Sequence, residues 1–143
     1  MRVLALDVGD RRIGVAASDP LGTTAQPLET LPHDGDIFDR LRELALSLEV
    51  GLVVVGLPLL MDGSEGAQSA SVREFAGRLE EELGLPVKYV DERLTTRQAG
   101  AVLSGEKMGR PERRSAADRV AAALILRAYL DSLPLDGGGL GWG

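Results

Sequence analysis

Residues 2–18 read R-V-L-A-L-D-V-G-D-R-R-I-G-V-A-A-S and indicate how the fold begins. An apolar run over Arg2–Val8 ends at the turn residues Gly9 and Asp10, and a second apolar run over Arg11–Ser18 follows directly. Two short apolar runs joined by a glycine-containing turn predict the two strands of a β-hairpin. This hairpin is the expected start of a β-sheet.

The rest of the chain alternates between strand patterns and the three-to-four-residue apolar spacing of helices. The predicted elements are an edge strand at Thr23–Leu31, a helix at Asp34–Val50 capped by Asp34 or Asp36, a buried strand at Gly51–Gly56, a loop at Leu57–Gly66, a helix at Ala67–Leu83 closed by Gly84, a buried strand at Pro86–Val90, a capped helix at Thr95–Leu103, a mobile loop at Ser104–Arg114 and a helix at Ser115–Leu133. Three early strands followed by alternating strands and helices predict an α/β domain with a mixed sheet over residues 1–133. The glycine-rich tail, residues 134–143, is expected to be disordered.

Composition excludes several classes of protein. The chain has 143 residues, 44% of them hydrophobic and 27% charged, which fits one domain with a packed core. It has no cysteine and one histidine, so disulfide scaffolds, thiolate metal sites and a Ser–His–Asp triad are not expected. The longest apolar run, Val50–Met61, is broken by glycine and proline, and no secretory signal precedes Asp7. We therefore expect a cytoplasmic protein with no membrane partner.

Three carboxylates stand at predicted element ends. Asp7 closes the first strand, Glu92 follows the last strand, and Asp118 lies in the first turn of the last helix. Each also has a purely structural interpretation: Asp7 accepting bonds from its own turn, Glu92 as an exposed strand-end residue, and Asp118 completing a capping box with Ser115. Together, however, they stand where a parallel-type sheet gathers an active site.

Clustered carboxylates repel one another unless a proton or a cation is present. Mg²⁺ and Mn²⁺ prefer such oxygen ligands, and a pair of these ions stabilises both the entering and the leaving oxygen in phosphodiester hydrolysis. The three acids therefore predict metal-dependent cleavage of a phosphodiester, in a chain that lacks the other usual catalytic residue types.

Basic residues are concentrated in one part of the chain. The formal net charge is −6, but residues 93–119 carry +4 and the remainder carries −10. A net acidic protein can bind a polyanion on one basic face, although scattered arginines can equally serve to solvate loops and helices. The candidate phosphate-binding residues are Arg12, Arg93, Lys107, Arg110, Arg113 and Arg114. Two further features remain open: Gly14 either keeps the backbone close to a ligand or permits a bulge, and loop 56–66 either contacts substrate or simply turns.

Four blocks of sequence resemble the YqgF family of RuvC-related, RNase H-like proteins, also called the RuvX type. The blocks are D-V-G-x-x-R-I-G-V-A from Asp7, G-L-P-x-x-M-D-G-S-E-G from Gly56, D-E-R-L-T-T from Asp91 and D-x-V-A-A from Asp118. The resemblance runs in order from residue 1 to about residue 133, and it departs from the family pattern at Leu60, where a polar residue is common.

The resemblance implies an RNase H-like fold with a five-stranded mixed sheet flanked by helices. It also implies that Asp7, Glu92 and Asp118 form a metal-binding catalytic triad. The substrates it implies are four-way DNA junctions, which need two symmetric cuts and hence a two-fold homodimer, or the 5′ end of pre-16S ribosomal RNA. The alternative is a nucleic-acid-binding module on the same scaffold that has no catalytic activity.

Overall fold

The computed structural model describes residues 1–95 and 110–133. Its strands are β1 (Arg2–Val8), β2 (Arg12–Ser18), β3 (Ala25–Pro32), β4 (Val50–Leu57) and β5 (Val87–Asp91), and its helices are α1 (Ile37–Ser47), α2 (Ala67–Leu83), a 3₁₀ turn (Glu92–Leu94) and α3 (Arg110–Asp131).

The five strands form one mixed sheet in the order β3-β2-β1-β4-β5. β1 pairs with β2 and β2 with β3 in antiparallel fashion, whereas β1, β4 and β5 run parallel to one another. The carboxyl ends of β1, β4 and β5 therefore meet at one edge of the sheet. In such sheets this edge is where ligands bind.

Helices cover both faces of the sheet, because the alternating side chains of the central strands are apolar on both sides. One core cluster, which includes Leu4, Leu6 and Val53, packs against α1 and α2. The other includes Val3, Ala5 and Val54 and packs against Ile125 and Leu126 of α3. Asp7 belongs to the same alternating set as Val3 and Ala5, so its side chain is on the α3 face of the sheet.

Several predicted elements are confirmed with small shifts at their ends. β1 and α2 have the predicted bounds, and α2 is closed by Gly84 in the left-handed conformation at φ 66°. β3 is an edge strand that contains Pro27. At the start of α1, Asp36 occupies the N-cap position without a side-chain capping bond, and Asp34 accepts a hydrogen bond from the Asp36 N–H at 3.0 Å instead.

Two expectations were wrong. The last strand is not buried: β5 is the other edge of the sheet, and its residues Lys88 and Tyr89 are exposed. Residues 110–114 are not a loop, because α3 begins at Arg110, and Asp118 is therefore the ninth residue of the helix and lies beyond its first turn. The capping-box interpretation of Asp118 is wrong for the same reason.

Some predictions lie outside the described residues. They are the body of the helix predicted over Thr95–Leu103, the first part of the predicted loop, which includes Lys107, and the tail at residues 134–143. Within the part of the chain that the structure describes, no helix is long and apolar enough to cross a membrane.

Candidate active site

The site is centred on Asp7, which lies between two glycines of neighbouring strands. Asp7 pairs with Gly14 of β2. On its other side, Leu6 pairs with Val55 of β4, so Gly56 is the next residue along that strand. A glycine in a strand interior often marks a close approach of another group. Here the two glycines leave room for α3 and for a second carboxylate to approach Asp7.

Gly56 makes room for Glu92. Glu92 follows β5, two strands away from β1, and a Cβ at Gly56 would lie 3.6 Å from the carboxyl carbon of Glu92 and 2.5 Å from Cδ1 of Ile125. The side chain of Glu92 thus passes above β4, where no side chain projects. It reaches the carboxyl group of Asp7, and the two groups share a hydrogen bond.

Gly14 makes room for the backbone at Asp118. A Cβ at Gly14 would lie 1.9 Å from the main-chain carbonyl oxygen of Asp118, so α3 crosses directly above this position. The β1–β2 register is uninterrupted here, which excludes a bulge between these strands at Gly14. The function of Gly14 is to allow close packing between helix and strand.

Asp118 is held by an arginine from the first hairpin. Nε of Arg12 donates to Oδ2 of Asp118 at 2.6 Å, and the side chains of Arg12 and Asp118 are 39% and 22% exposed. Arg12 is the first residue of β2, and the turn before it is closed by a bond from the Gly9 N–H to the Arg12 carbonyl at 2.9 Å. Nδ1 of His33 donates to the Gly9 carbonyl at 2.7 Å and fixes the same turn. The single histidine is thus a structural residue beside the site.

The electrostatics of the site favour a proton on Asp7. Burial raises the pKa of Asp7 from its ordinary value of 3.8 to about 8, and the hydrogen bond with Glu92 and the charges of Glu92 and Asp118 act in the same direction. A carboxyl group in an apolar surrounding beside two carboxylates cannot ionise easily without a compensating cation. The protein therefore offsets the charge of this cluster with a proton on Asp7 and with the guanidinium of Arg12.

The donor set fits a hard divalent cation in its chemistry. Asp7 and Glu92 touch each other, and Asp118 is close enough to raise the pKa of Asp7. Within residues 1–95 and 110–133, no group of three acidic or histidine side chains is placed so that it could hold a metal ion. The Asp118 carboxylate is turned towards Arg12. An ion bound here would take the place of the proton on Asp7 and compete with Arg12 for Asp118.

Of the other predicted phosphate-binding residues, Arg93 is bound within the protein, whereas Arg113 and Arg114 are exposed on α3. Nε and Nη2 of Arg93 bind the carboxylate of Asp91, and Nη1 donates to the carbonyls of Leu60 and Met61 at 3.4 and 3.3 Å. Arg93 therefore braces the loop after β4. Arg113 and Arg114 are exposed near the start of α3, and Arg114 precedes Asp118 by one helical turn. Arg110 is the first residue of that helix.

Sequence reasoning missed the packing function of Gly14 and Gly56 and the bracing function of Arg93. The function of the two glycines could have been predicted, since glycines in the strands next to a strand that carries an acid indicate a close approach of another group. No sequence pattern indicates the function of Arg93, because the carbonyls that it binds lie 32 and 33 residues earlier in the chain.

A mixed sheet in the order β3-β2-β1-β4-β5, with helices on both faces and carboxylates gathered at the ends of its parallel strands, defines an RNase H-like domain. Solved structures agree on the fold. RuvC of T. thermophilus in complex with a Holliday junction substrate is similar over 92% of this chain and 97% of that one, with a TM-score of 0.57 and 19% identity. The fowlpox virus Holliday junction resolvase is similar over 93% of this chain and 100% of that one, with a TM-score of 0.53 and 15% identity.

Comparison of sequences identifies the family to which the chain belongs, which is more specific than its fold. A family model described as "RuvX: Holliday junction resolvase" matches residues 1–132, and the chain belongs to this family. A relative from Moorella thermoacetica is 50% identical over 139 residues, which cover 96% of this chain and 99% of the relative. A relative from Listeria monocytogenes serotype 4b (strain CLIP80459) is 45% identical over 136 residues, which cover 92% and 99%. Both bear the name "Putative pre-16S rRNA nuclease". The resemblance drawn from the four sequence blocks is confirmed.

Proposed function

We propose that this protein is a divalent-metal-dependent endonuclease that hydrolyses phosphodiester bonds in structured nucleic acid. The observation that carries the proposal is the partly buried Asp7 carboxyl group, which shares a hydrogen bond with Glu92 and lies within the electrostatic influence of Asp118. These acids come from β1, the turn after β5 and α3, and a carboxyl group whose pKa is raised by burial and by neighbouring acids is typical of a functional site.

Each residue of the site would have its own role in hydrolysis. Asp7 and Glu92, which are hydrogen-bonded to each other, would together hold Mg²⁺ or Mn²⁺ with Asp118 as the third ligand. A cation bound there supplies stabilisation of the charge that develops on the entering and leaving oxygens during hydrolysis. Arg12 orients Asp118 through its Nε. We expect water to be added across the P–O3′ bond, which leaves a 5′-phosphate and a 3′-hydroxyl.

Two substrates are to be tested. Membership of the family described as Holliday junction resolvases supports four-way DNA junctions, and the names of the relatives at 45–50% identity support the 5′ end of precursor 16S rRNA. If junctions are cut in symmetric pairs, two sites are needed, and we expect a two-fold homodimer. A cytoplasmic location and a domain that spans residues 1–133 fit either substrate.

The test compares cleavage of a precursor-rRNA 5′ leader, a four-way junction and a linear duplex in Mg²⁺, in Mn²⁺ and in EDTA. We expect metal-dependent cleavage of a structured substrate by the wild-type protein and its loss in Asp7→Asn. The matched control is Asp10→Asn, since Asp10 is exposed in the adjoining turn and its loss should leave cleavage intact. Full activity of Asp7→Asn would refute the assignment, and metal-independent binding without cleavage would favour the non-catalytic module.

A further inference from the structure

The loop after β4 is a preformed hairpin. The N–H of Leu60 donates to the Ser64 carbonyl at 2.9 Å, and the N–H of Gly63 donates to the Leu60 carbonyl at 2.8 Å. Asp62 Oδ1 accepts from the Ser64 N–H at 2.9 Å and from its hydroxyl at 2.6 Å. Gly63 adopts a φ of 87°, which closes the turn. The tip of this hairpin is therefore fixed by its own bonds.

The hairpin is also tied to its surroundings on two sides. Arg93 links its tip to the residue that ends β5 through the carbonyls and the Asp91 carboxylate already described. On the other side, Arg73 of α2 makes two bonds to the Glu65 carboxylate at 2.6 and 2.7 Å, and the hydroxyl of Ser69 donates to the Pro58 carbonyl. A loop held from both sides keeps its shape before any ligand arrives, which lowers the entropic cost of binding.

A cleft of about 230 Å³ lies between this hairpin, the start of α2 and the candidate active site. It is lined by Pro58, Leu59, Gln68, Glu92 and Arg93. Its wall is apolar at Pro58 and Leu59, and one of its edges is Glu92. The cleft is smaller than sites for drug-sized ligands, which span roughly 300–1,000 Å³. It is suited to a single ring system.

The side chain of Gln68, in the lining of the cleft, and the apolar side chains at the tip of the hairpin are available to a ligand. Gln68 lies in the first turn of α2, is exposed, and its amide makes no hydrogen bond with any residue that the structure describes. Met61, at the tip of the hairpin, is 98% exposed, and Leu60 beside it is 53% exposed. Together, Met61 and Leu60 expose a small apolar surface at the tip of a loop that is held in shape beside the candidate active site.

The residues that line the cleft favour the base of a nucleotide over its phosphate. A phosphate is disfavoured, because the guanidinium of Arg93, which lines the cleft, already binds the Asp91 carboxylate and the loop carbonyls. A neutral base is favoured, because a flat ring packs on apolar side chains and a glutamine amide both donates to and accepts from a base edge. Base edges and faces are available in this way only where the nucleotide is unpaired.

We propose that this cleft is a subsite for one unpaired nucleobase next to the scissile phosphate. Gln68 bonds the edge of the base, and Met61 packs against the base that follows it. The inference rests on the proposed nuclease function and extends it. It identifies the feature of structured nucleic acid that this protein recognises as an unstacked base beside the cut.

The test uses the substrate that the wild-type protein cuts, with the nucleotides around the cut replaced one at a time by an abasic residue. Binding is measured by fluorescence anisotropy on protein that carries Asp7→Asn and therefore does not cut. We expect one abasic position to weaken binding by about tenfold. Gln68→Ala should weaken binding of the intact substrate by a similar factor and abolish the further effect of that abasic position, because the two changes remove the same contact.

The matched controls are Gln26→Ala and Leu21→Ala. Both residues are exposed near the opposite end of the sheet, and they reproduce the chemical changes of Gln68→Ala and Met61→Ala. Met61→Ala should weaken binding and Leu21→Ala should not. Independent, additive effects of Gln68→Ala and the abasic residue would overturn the subsite while cleavage by the wild-type protein still supports the nuclease. Failure of the wild-type protein to cut any substrate would instead overturn the nuclease function.

Discussion

The fold raises the pKa of Asp7 and so favours the protonated form of its carboxyl group. Its pKa in the folded protein is raised from 3.8 to about 8, with burial as the largest cause. Between these two pH values the folded protein binds a proton that the unfolded chain does not. The contribution of Asp7 to the free energy of unfolding is therefore fully present below pH 3.8 and is lost as the pH rises through about 8.

This sign gives a testable pH dependence. In EDTA, the free energy of unfolding of the wild-type protein should fall between pH 5 and 8, by at most roughly 1.4 kcal/mol per pH unit from this group. Asp7→Asn should remove this slope and be more stable than wild type at pH 8, since an amide keeps a bond to Glu92 without a charge. Urea unfolding at several pH values measures both effects, with Asp10→Asn as the control. An unchanged slope in Asp7→Asn would contradict the burial of this carboxyl group.

The sequence predicted the positions of Asp7 and Glu92 well and that of Asp118 less well. Asp7 lies near the end of β1 and Glu92 directly follows β5, and the apolar and β-branched runs of both strands can be recognised locally. The prediction for Asp118 put it at a helix start, because Pro111 and its basic neighbours are also typical of a loop. Proline is in fact favoured in the first turn of a helix, where its missing N–H has no partner to lose, and Pro111 is the second residue of α3.

Sheet order explains the error at β5. The run from Val87 to Val90 is locally compatible with a buried or an edge strand, and only its position outside β4 exposes Lys88 and Tyr89. That position depends on pairing between distant segments, which a local pattern does not encode. The same limit applies to the Arg12–Asp118 pair, whose members are 106 residues apart.

The packing of α3 on the hairpin rests on the absence of a side chain at Gly14. Gly14→Ala would place a Cβ 1.9 Å from the Asp118 carbonyl, and because that atom belongs to the backbone of α3, the whole helix has to shift. We expect a loss of about 1–3 kcal/mol in the free energy of unfolding, together with a loss of cleavage as Asp118 moves away from Asp7. Chemical denaturation and a cleavage assay measure the two effects.

Gly77→Ala is the matched control for this change. Gly77 lies inside α2 and is exposed, and a Cβ at this position would meet no other side chain or neighbouring element within 4 Å. Replacing it should stabilise the protein by about 0.5–1 kcal/mol, because alanine loses less backbone freedom in a helix. If Gly14→Ala is as stable as wild type, the close crossing of α3 over β2 is refuted.

The charge of the whole molecule requires that a polyanion approach from one direction. The net charge is −6, so we expect a nucleic acid to approach where arginines gather. Arg113 and Arg114 are exposed on α3, within two turns of Asp118, and extend the positive surface from the site along the helix. We infer that they contact phosphates on one side of the cut.

The dependence of binding on salt tests this directly. Each phosphate contact contributes about 0.7–0.9 to the slope of log K against log salt, so Arg113→Ala with Arg114→Ala should lower the magnitude of that slope by up to about 2 and weaken binding at low salt. The control is Arg40→Ala with Arg42→Ala, which removes the same charge from α1 on the other face of the sheet, where both arginines pair with acidic residues. It should leave the slope unchanged, since loss of exposed ion pairs has little effect on the fold. Equal reductions in both double variants would show that binding follows net charge alone, and nucleic acid would then have no preferred path along α3 to Asp118.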